Sequence, residues 1–186
     1  MKHIRTLYHN NNQELLGRVT FKPKNLFSRS SYILVTDDSR MFSKGYKCII
    51  STRRIDNMGI TALQVDNIGV FNEGDVISID SIGEIYFQYE RTSTSNVIFA
   101  TAKCNHRCIM CPQPPVLQEE DRTSFNLELI KLFDKSTQEI GITGGEPTLI
   151  GDKLFELIRQ IKKSCPKSAI SILSNGVKCA NVDYAA

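Results

Sequence analysis

Up to about residue 95 the apolar positions come in short runs rich in β-branched and aromatic side chains, broken by clusters of Asn, Asp, Gly and Ser. The runs Leu15–Phe21, Tyr32–Thr36, Cys48–Ser51, Thr61–Val65, Asp75–Asp80 and Gly83–Tyr89 read as strands. No helical period separates them, which predicts a small β-rich domain over residues 1–95, a barrel or a sandwich. The polar segment Glu90–Asn96 reads as a linker. From residue 96 the rhythm changes. Val97–Thr101 is an apolar run of buried-strand type, and Asn126–Ser136 carries Leu129, Ile130 and Phe133 at helical spacing. Glu139–Thr143 is a short strand. Residues 152–163 place Leu154, Leu157, Ile158 and Ile161 on one helical face, and Ala169–Leu173 is a further strand. A β-α-β-α-β order over 96–186 implies a parallel sheet with helical crossovers, an α/β fold whose chemistry belongs at the C-terminal ends of the strands.

The informative motifs fall at those ends. Directly after the first strand come Cys104, Cys108 and Cys111, in Cys-Asn-His-Arg-Cys-Ile-Met-Cys-Pro. Thiolates are the ligands of iron–sulfur clusters, and three of them on a four-iron cube leave one iron open to a substrate or cofactor. A structural zinc site, closed by a fourth ligand, is the alternative. His106 could supply that ligand, but it lies inside the loop between two cysteines, where joint coordination is strained. The second strand runs into Gly144-Gly145-Glu146-Pro147, where paired glycines permit close backbone approach and a carboxylate can receive an ammonium group. An ordinary strand-ending turn before a helix that Pro147 helps to start is the plainer reading. The third strand ends in Ser174-Asn175-Gly176, which is also a common turn sequence.

Together, Cys104-x3-Cys108-x2-Cys111 and the Gly-Gly-Glu turn resemble the radical S-adenosylmethionine (SAM) superfamily. That resemblance implies a [4Fe–4S] cluster on Cys104, Cys108 and Cys111, whose open iron binds the amino and carboxylate groups of SAM. It implies that Gly144, Gly145 and Glu146 contact the SAM amino group. The family's adenine-contacting aromatic residue is replaced here by Met110. Ser174 and Asn175 resemble a segment found in many peptide-modifying members. The loop Met110-Cys111-Pro112-Gln113-Pro114-Pro115, with Gly144–Leu149 and a β-rich region in front, is similar to the C-type maturase of the His-Xaa-Ser system. This implies a precursor peptide with His-Xaa-Ser repeats as substrate, and a second radical SAM maturase and a small protein as partners. A radical SAM enzyme acting on a small molecule, and a non-catalytic iron–sulfur or zinc module that recruits a partner, are the rival readings.

The superfamily core resembles a partial (β/α)6 barrel. At roughly 30 residues per βα unit, residues 96–186 hold about three units. The expectation is therefore the N-terminal half of such a barrel behind a small β-rich domain, in a truncated chain or in a short protein active only with a partner.

Composition changes the picture little. Lys and Arg total 23 against 20 Asp and Glu, a net +3 with no basic stripe, which argues against nucleic acid. No apolar stretch reaches the ~18 residues of a membrane span. The polar start at Met1–Asn12 carries no signal-peptide core. The expected compartment is the cytoplasm, where six cysteines are not expected to form disulfides. Cys48, Cys165 and Cys179 follow no ligand spacing and read as packing or incidental thiols.

Overall fold

The computed structural model describes residues 2–10, 12–56, 59–112, 116 and 121–185. It divides into two compact units, Met1–Ser93 and Thr94–Ala186.

The first unit holds β1 (His3–Ile4), β2 (Tyr8–His9), β3 (Leu15–Thr20), β4 (Tyr32–Val35), β5 (Cys48–Ser51), β6 (Ala62–Gln64), β7 (Val76–Ile79) and β8 (Ile85–Tyr89). The six longer strands fall where the apolar runs place them. Their arrangement does not match the expected barrel or sandwich. With β1 and β2 they form one open eight-stranded sheet among the described residues, in the order β1-β8-β7-β3-β4-β5-β6-β2. β3, β4, β5 and β6 pair in parallel, whereas β7 and β8 join by antiparallel pairing. The physical reason lies in the middle strands. Tyr-Ile-Leu-Val in β4 and Cys-Ile-Ile-Ser in β5 do not alternate with polar residues, because both faces of the sheet are covered. Val19, Ile33, Val35, Cys48, Ile50 and Ile77 pack on one face, and Leu34, Ile49, Ile55 and Ile60 on the other.

The second unit is a three-stranded parallel sheet in the order β11-β10-β9, built from β9 (Ser95–Thr101), β10 (Glu139–Gly144) and β11 (Ala169–Ile172). Helices α1 (Thr123–Lys131) and α2 (Asp152–Ser164) are the crossovers, and α3 (Val182–Ala185) is a single turn near the end. The β-α-β-α-β order is as read from the sequence; no closed barrel is formed by the described residues. Two boundaries shift. Ser95 and Asn96 belong to β9, opposite Glu139 and Ile140, so the linker is shorter than Glu90–Asn96. The first helix begins at Thr123 and ends at Lys131, with Phe133 buried just beyond it. Leu154, Leu157 and Ile161 on α2 are buried with Leu129 and Ile130 of α1, as the helical periodicity requires. No helix among the described residues is long and apolar enough to cross a membrane.

Candidate cofactor site

Three loops meet at the C-terminal ends of β9, β10 and β11. The first begins with an irregularity. Thr143 pairs with Phe99 but Gly144 pairs with Thr101, so Ala100 is an extra residue in β9. A bulge at a strand end re-aims the chain next to a site. The side-chain amide of the buried Asn126, on α1, donates to the Phe99 carbonyl at 3.0 Å. Beyond Thr101, whose hydroxyl accepts from Lys103 N at 3.0 Å, the chain enters the cysteine loop. Within the loop the His106 N–H donates to Cys104 Sγ at 3.4 Å, and the Cys111 N–H to the Cys108 carbonyl at 3.1 Å.

The second loop packs directly on the first. Gly145 N donates to the Thr101 carbonyl at 2.7 Å and Glu146 N to the Lys103 carbonyl at 2.8 Å. Both glycines are required by this approach. Gly144 has φ +150°, and a Cβ there would overlap the Thr101 carbonyl oxygen; a Cβ on Gly145 would overlap the Lys103 carbonyl oxygen. The backbone that these glycines admit is thus that of the strand end leading into the cysteines.

Glu146 is 1% exposed. Its Oε1 accepts from Thr148 N at 3.0 Å, Thr148 Oγ1 at 2.7 Å and Ser174 Oγ at 2.9 Å, and its Oε2 accepts from Asn175 N at 2.7 Å. Burial works to raise its pKa. The Asn175 and Thr148 N–H groups and the Thr148 and Ser174 hydroxyls outweigh that and hold it below the ordinary value. A buried carboxylate with this many donors is an ionised tie between β10 and β11. The turn that follows is a 3-10 helix, Pro147–Ile150, which Glu146 caps, rather than the start of α2.

The third loop closes the set. The Asn175 side-chain amide lies 2.7 Å from Asn105 Oδ1 and 3.1 Å from His106 Nδ1, both in the cysteine loop. His106 Nδ1 also lies 3.2 Å from Asn105 Oδ1, so the three side chains form one cluster. Ser174 and Asn175 therefore touch Glu146, and Asn175 touches the cysteine loop as well. Sequence reading did not single out Thr148 or Asn105. The visible signal for Thr148 was Glu-Pro-Thr, a carboxylate placed to cap a turn whose first residue is proline; Asn105 gave none.

Cys104 is half-buried, and Cys108 and Cys111 are exposed. Among the described residues, none of the six cysteines forms a disulfide, and no three His, Cys, Asp or Glu side chains converge on a metal position. The three thiols share one loop without being drawn to a point. As a donor set they nonetheless fit an iron–sulfur cluster: soft sulfur ligands, close in sequence, accessible, and directly beside the buried Glu146 tie. Met110 is 93% exposed and Ile109 stands beside it in solvent. Gln113, Pro114 and Pro115 of the proline-rich loop lie outside the described residues. Cys48 and Cys165 are fully buried, in the sheet core and after α2. Cys179 is exposed.

The family model of the radical SAM superfamily matches residues 98–184. The match covers a little under half of the chain and makes this stretch similar to radical SAM domains. Such domains work with a [4Fe–4S] cluster and SAM. The chain is also similar to proteins named GTP 3',8-cyclase. The one from Limosilactobacillus fermentum is 33% identical over 100 residues, covering 50% of this chain and 30% of the relative. That from Lactiplantibacillus plantarum is 30% identical over 105 residues, covering 53% and 31%. In Paenarthrobacter nicotinovorans the identity is 28% over 100 residues, covering 50% and 28%. The matched region thus spans under a third of each of these relatives. No solved structure gives a significant match.

Proposed function

We propose that the chain acts as a radical SAM enzyme, with Cys104, Cys108 and Cys111 holding the cluster and the Gly144–Glu146 edge receiving the amino group of SAM. The observation that carries this reading is the hydrogen bonding of Gly145 and Glu146 to Thr101 and Lys103. It sets the SAM-receiving turn against the strand end that leads into the cysteines. When bound, cluster and cofactor would supply radical chemistry for hydrogen-atom abstraction from the substrate. The chain's own part is placement. Gly144 and Gly145 bring the turn close, Glu146 fixes it to Ser174 and Asn175, and the exposed Met110 offers an apolar surface for the adenine. Misplacement of about 1 Å in such a site costs ~100-fold in rate.

For the substrate, the reading is a ribosomally made peptide with His-Xaa-Ser repeats, modified in the cytoplasm with the help of a second radical SAM maturase and a small partner protein. Its support is the Met110–Pro115 loop, the Ser174-Asn175-Gly176 end of the third strand and the β-rich unit in front. The outer strands β1 and β2 have two residues each and offer little edge for strand addition. Peptide contact would therefore fall on loops. A small-molecule substrate is the second reading, favoured by relatives that are named for a reaction of GTP.

The deciding test is anaerobic incubation of the reconstituted chain with SAM and dithionite, with a His-Xaa-Ser peptide or with GTP. Release of 5′-deoxyadenosine stimulated by the peptide supports the first reading, and stimulation by GTP supports the second. A reconstituted chain that releases none in any arm, with the second maturase and the small partner protein added as well as without them, contradicts the enzymatic reading.

A further inference from the structure

Asn175 stands outside both the cysteine loop and the Gly-Gly-Glu turn, yet it touches each. Its N–H donates to Glu146 Oε2 at 2.7 Å. Its side-chain amide reaches Asn105 at 2.7 Å and His106 at 3.1 Å. Its own Oδ1 accepts from Val177 N at 3.1 Å, which fixes the rotamer that aims the amide. Asn105 and His106 follow Cys104 directly and precede Cys108. The first half of the cysteine loop is therefore held by a residue beyond the end of β11, whose own backbone is held by the Glu146 carboxylate beyond the end of β10.

We propose that Asn175 is a positioning residue for the cysteine loop: its side-chain amide fixes Asn105 and His106, and through them the placement of Cys104 and Cys108 relative to the Gly144–Glu146 edge. This rests on the reading that the loop holds an iron–sulfur cluster. The bonds to Asn105 and His106 are exposed to solvent, so they contribute little to global stability. Their effect is on loop order. Partners that hold metal ligands in place typically change metal affinity or activity by about 10–100-fold when removed. The donor is the active element. Asn175→Ala removes the amide and leaves Asn105 and His106 no side-chain partner at that position, whereas an Asp carboxylate could still accept from a rotated Asn105 amide.

The experiment uses the 186-residue chain, reconstituted anaerobically, as wild type, Asn175→Ala, Asn105→Ala and the double variant. Iron and sulfide content, the rate of iron loss to a chelator, and the electron paramagnetic resonance spectrum of the reduced chain with and without SAM are measured. All four proteins should unfold at the same midpoint and take up iron and sulfide. Each single variant should lose iron about 10-fold faster than wild type and show an altered SAM-induced spectral change. The double variant should be no worse than either single one, because one shared contact is lost. Wild-type kinetics and spectra in Asn175→Ala, or single effects that multiply in the double variant, overturn the inference while leaving the cluster reading intact. A wild-type chain that takes up no sulfide overturns both.

Discussion

The Glu146 carboxylate accepts a 2.9 Å hydrogen bond from the Ser174 hydroxyl, joining the ends of β10 and β11 through a buried ion. Truncating it strands the buried Thr148 N–H and hydroxyl, while the exposed Ser174 and Asn175 can turn to water. An unsatisfied buried donor costs roughly 1–3 kcal/mol. Glu146→Ala should lower the unfolding free energy by about 1–3 kcal/mol in urea titration, and Glu146→Gln, which keeps an acceptor, by less. A loss under about 1 kcal/mol in the alanine variant would show that the tie is not structural.

The same ion sets a pH dependence. Its folded pKa lies below the ordinary value of 4.5, so the ionised form favours the folded state. The contribution is complete above the unfolded value and disappears as pH falls through the folded one. The urea midpoint of the wild type should drop more steeply between about pH 5 and about pH 3 than that of Glu146→Gln, which has nothing to titrate there. Parallel curves would contradict this assignment.

At Gly144 and Gly145 the obstacle to a side chain is backbone. At Gly176, with φ +76° and open space around it, only conformational strain opposes one. Gly176→Ala should cost about 1 kcal/mol. Gly145→Ala should cost more, about 1–3 kcal/mol of overpacking, and should in addition disturb the loop before Cys104. Thermal unfolding and cluster uptake of the two variants separate strain from collision. Equal cost, with intact uptake in both, would argue against the loop contact.

The cysteines should divide by reactivity. Burial pushes the Cys48 thiol far above its ordinary value, and Cys165 is equally enclosed. Alkylation of the cluster-free folded chain, read by mass spectrometry, should mark Cys108, Cys111 and Cys179 promptly, and Cys48 and Cys165 only after unfolding. Prompt labelling of Cys48 would contradict its place in the sheet core.

Strand and helix positions were legible because burial writes itself into apolar spacing: Leu154, Leu157 and Ile161 face inward on α2 as their spacing demands. The pairing of the N-terminal strands was not. Turns rich in Asn, Asp and Gly precede parallel and antiparallel partners alike. The usable clue was the unbroken apolar run in β4 and β5, which marks strands covered on both sides. Chemistry was legible at the cysteines and at Gly144-Gly145-Glu146, where residue type and order are distinctive. What each group touches was not. The Glu146 carboxylate turns inward to Ser174, and the glycines admit Thr101 and Lys103, since both contacts join residues about 30 to 45 positions apart in sequence. Contacts of that span depend on how the sheet assembles.

The most direct test of the cluster assignment is the metal itself. After anaerobic reconstitution with iron and sulfide, the wild-type chain should carry about four of each, with the brown colour of a [4Fe–4S] centre, and Cys108→Ala should carry none. Stoichiometric zinc without sulfide, or full iron and sulfide in Cys108→Ala, would contradict the account.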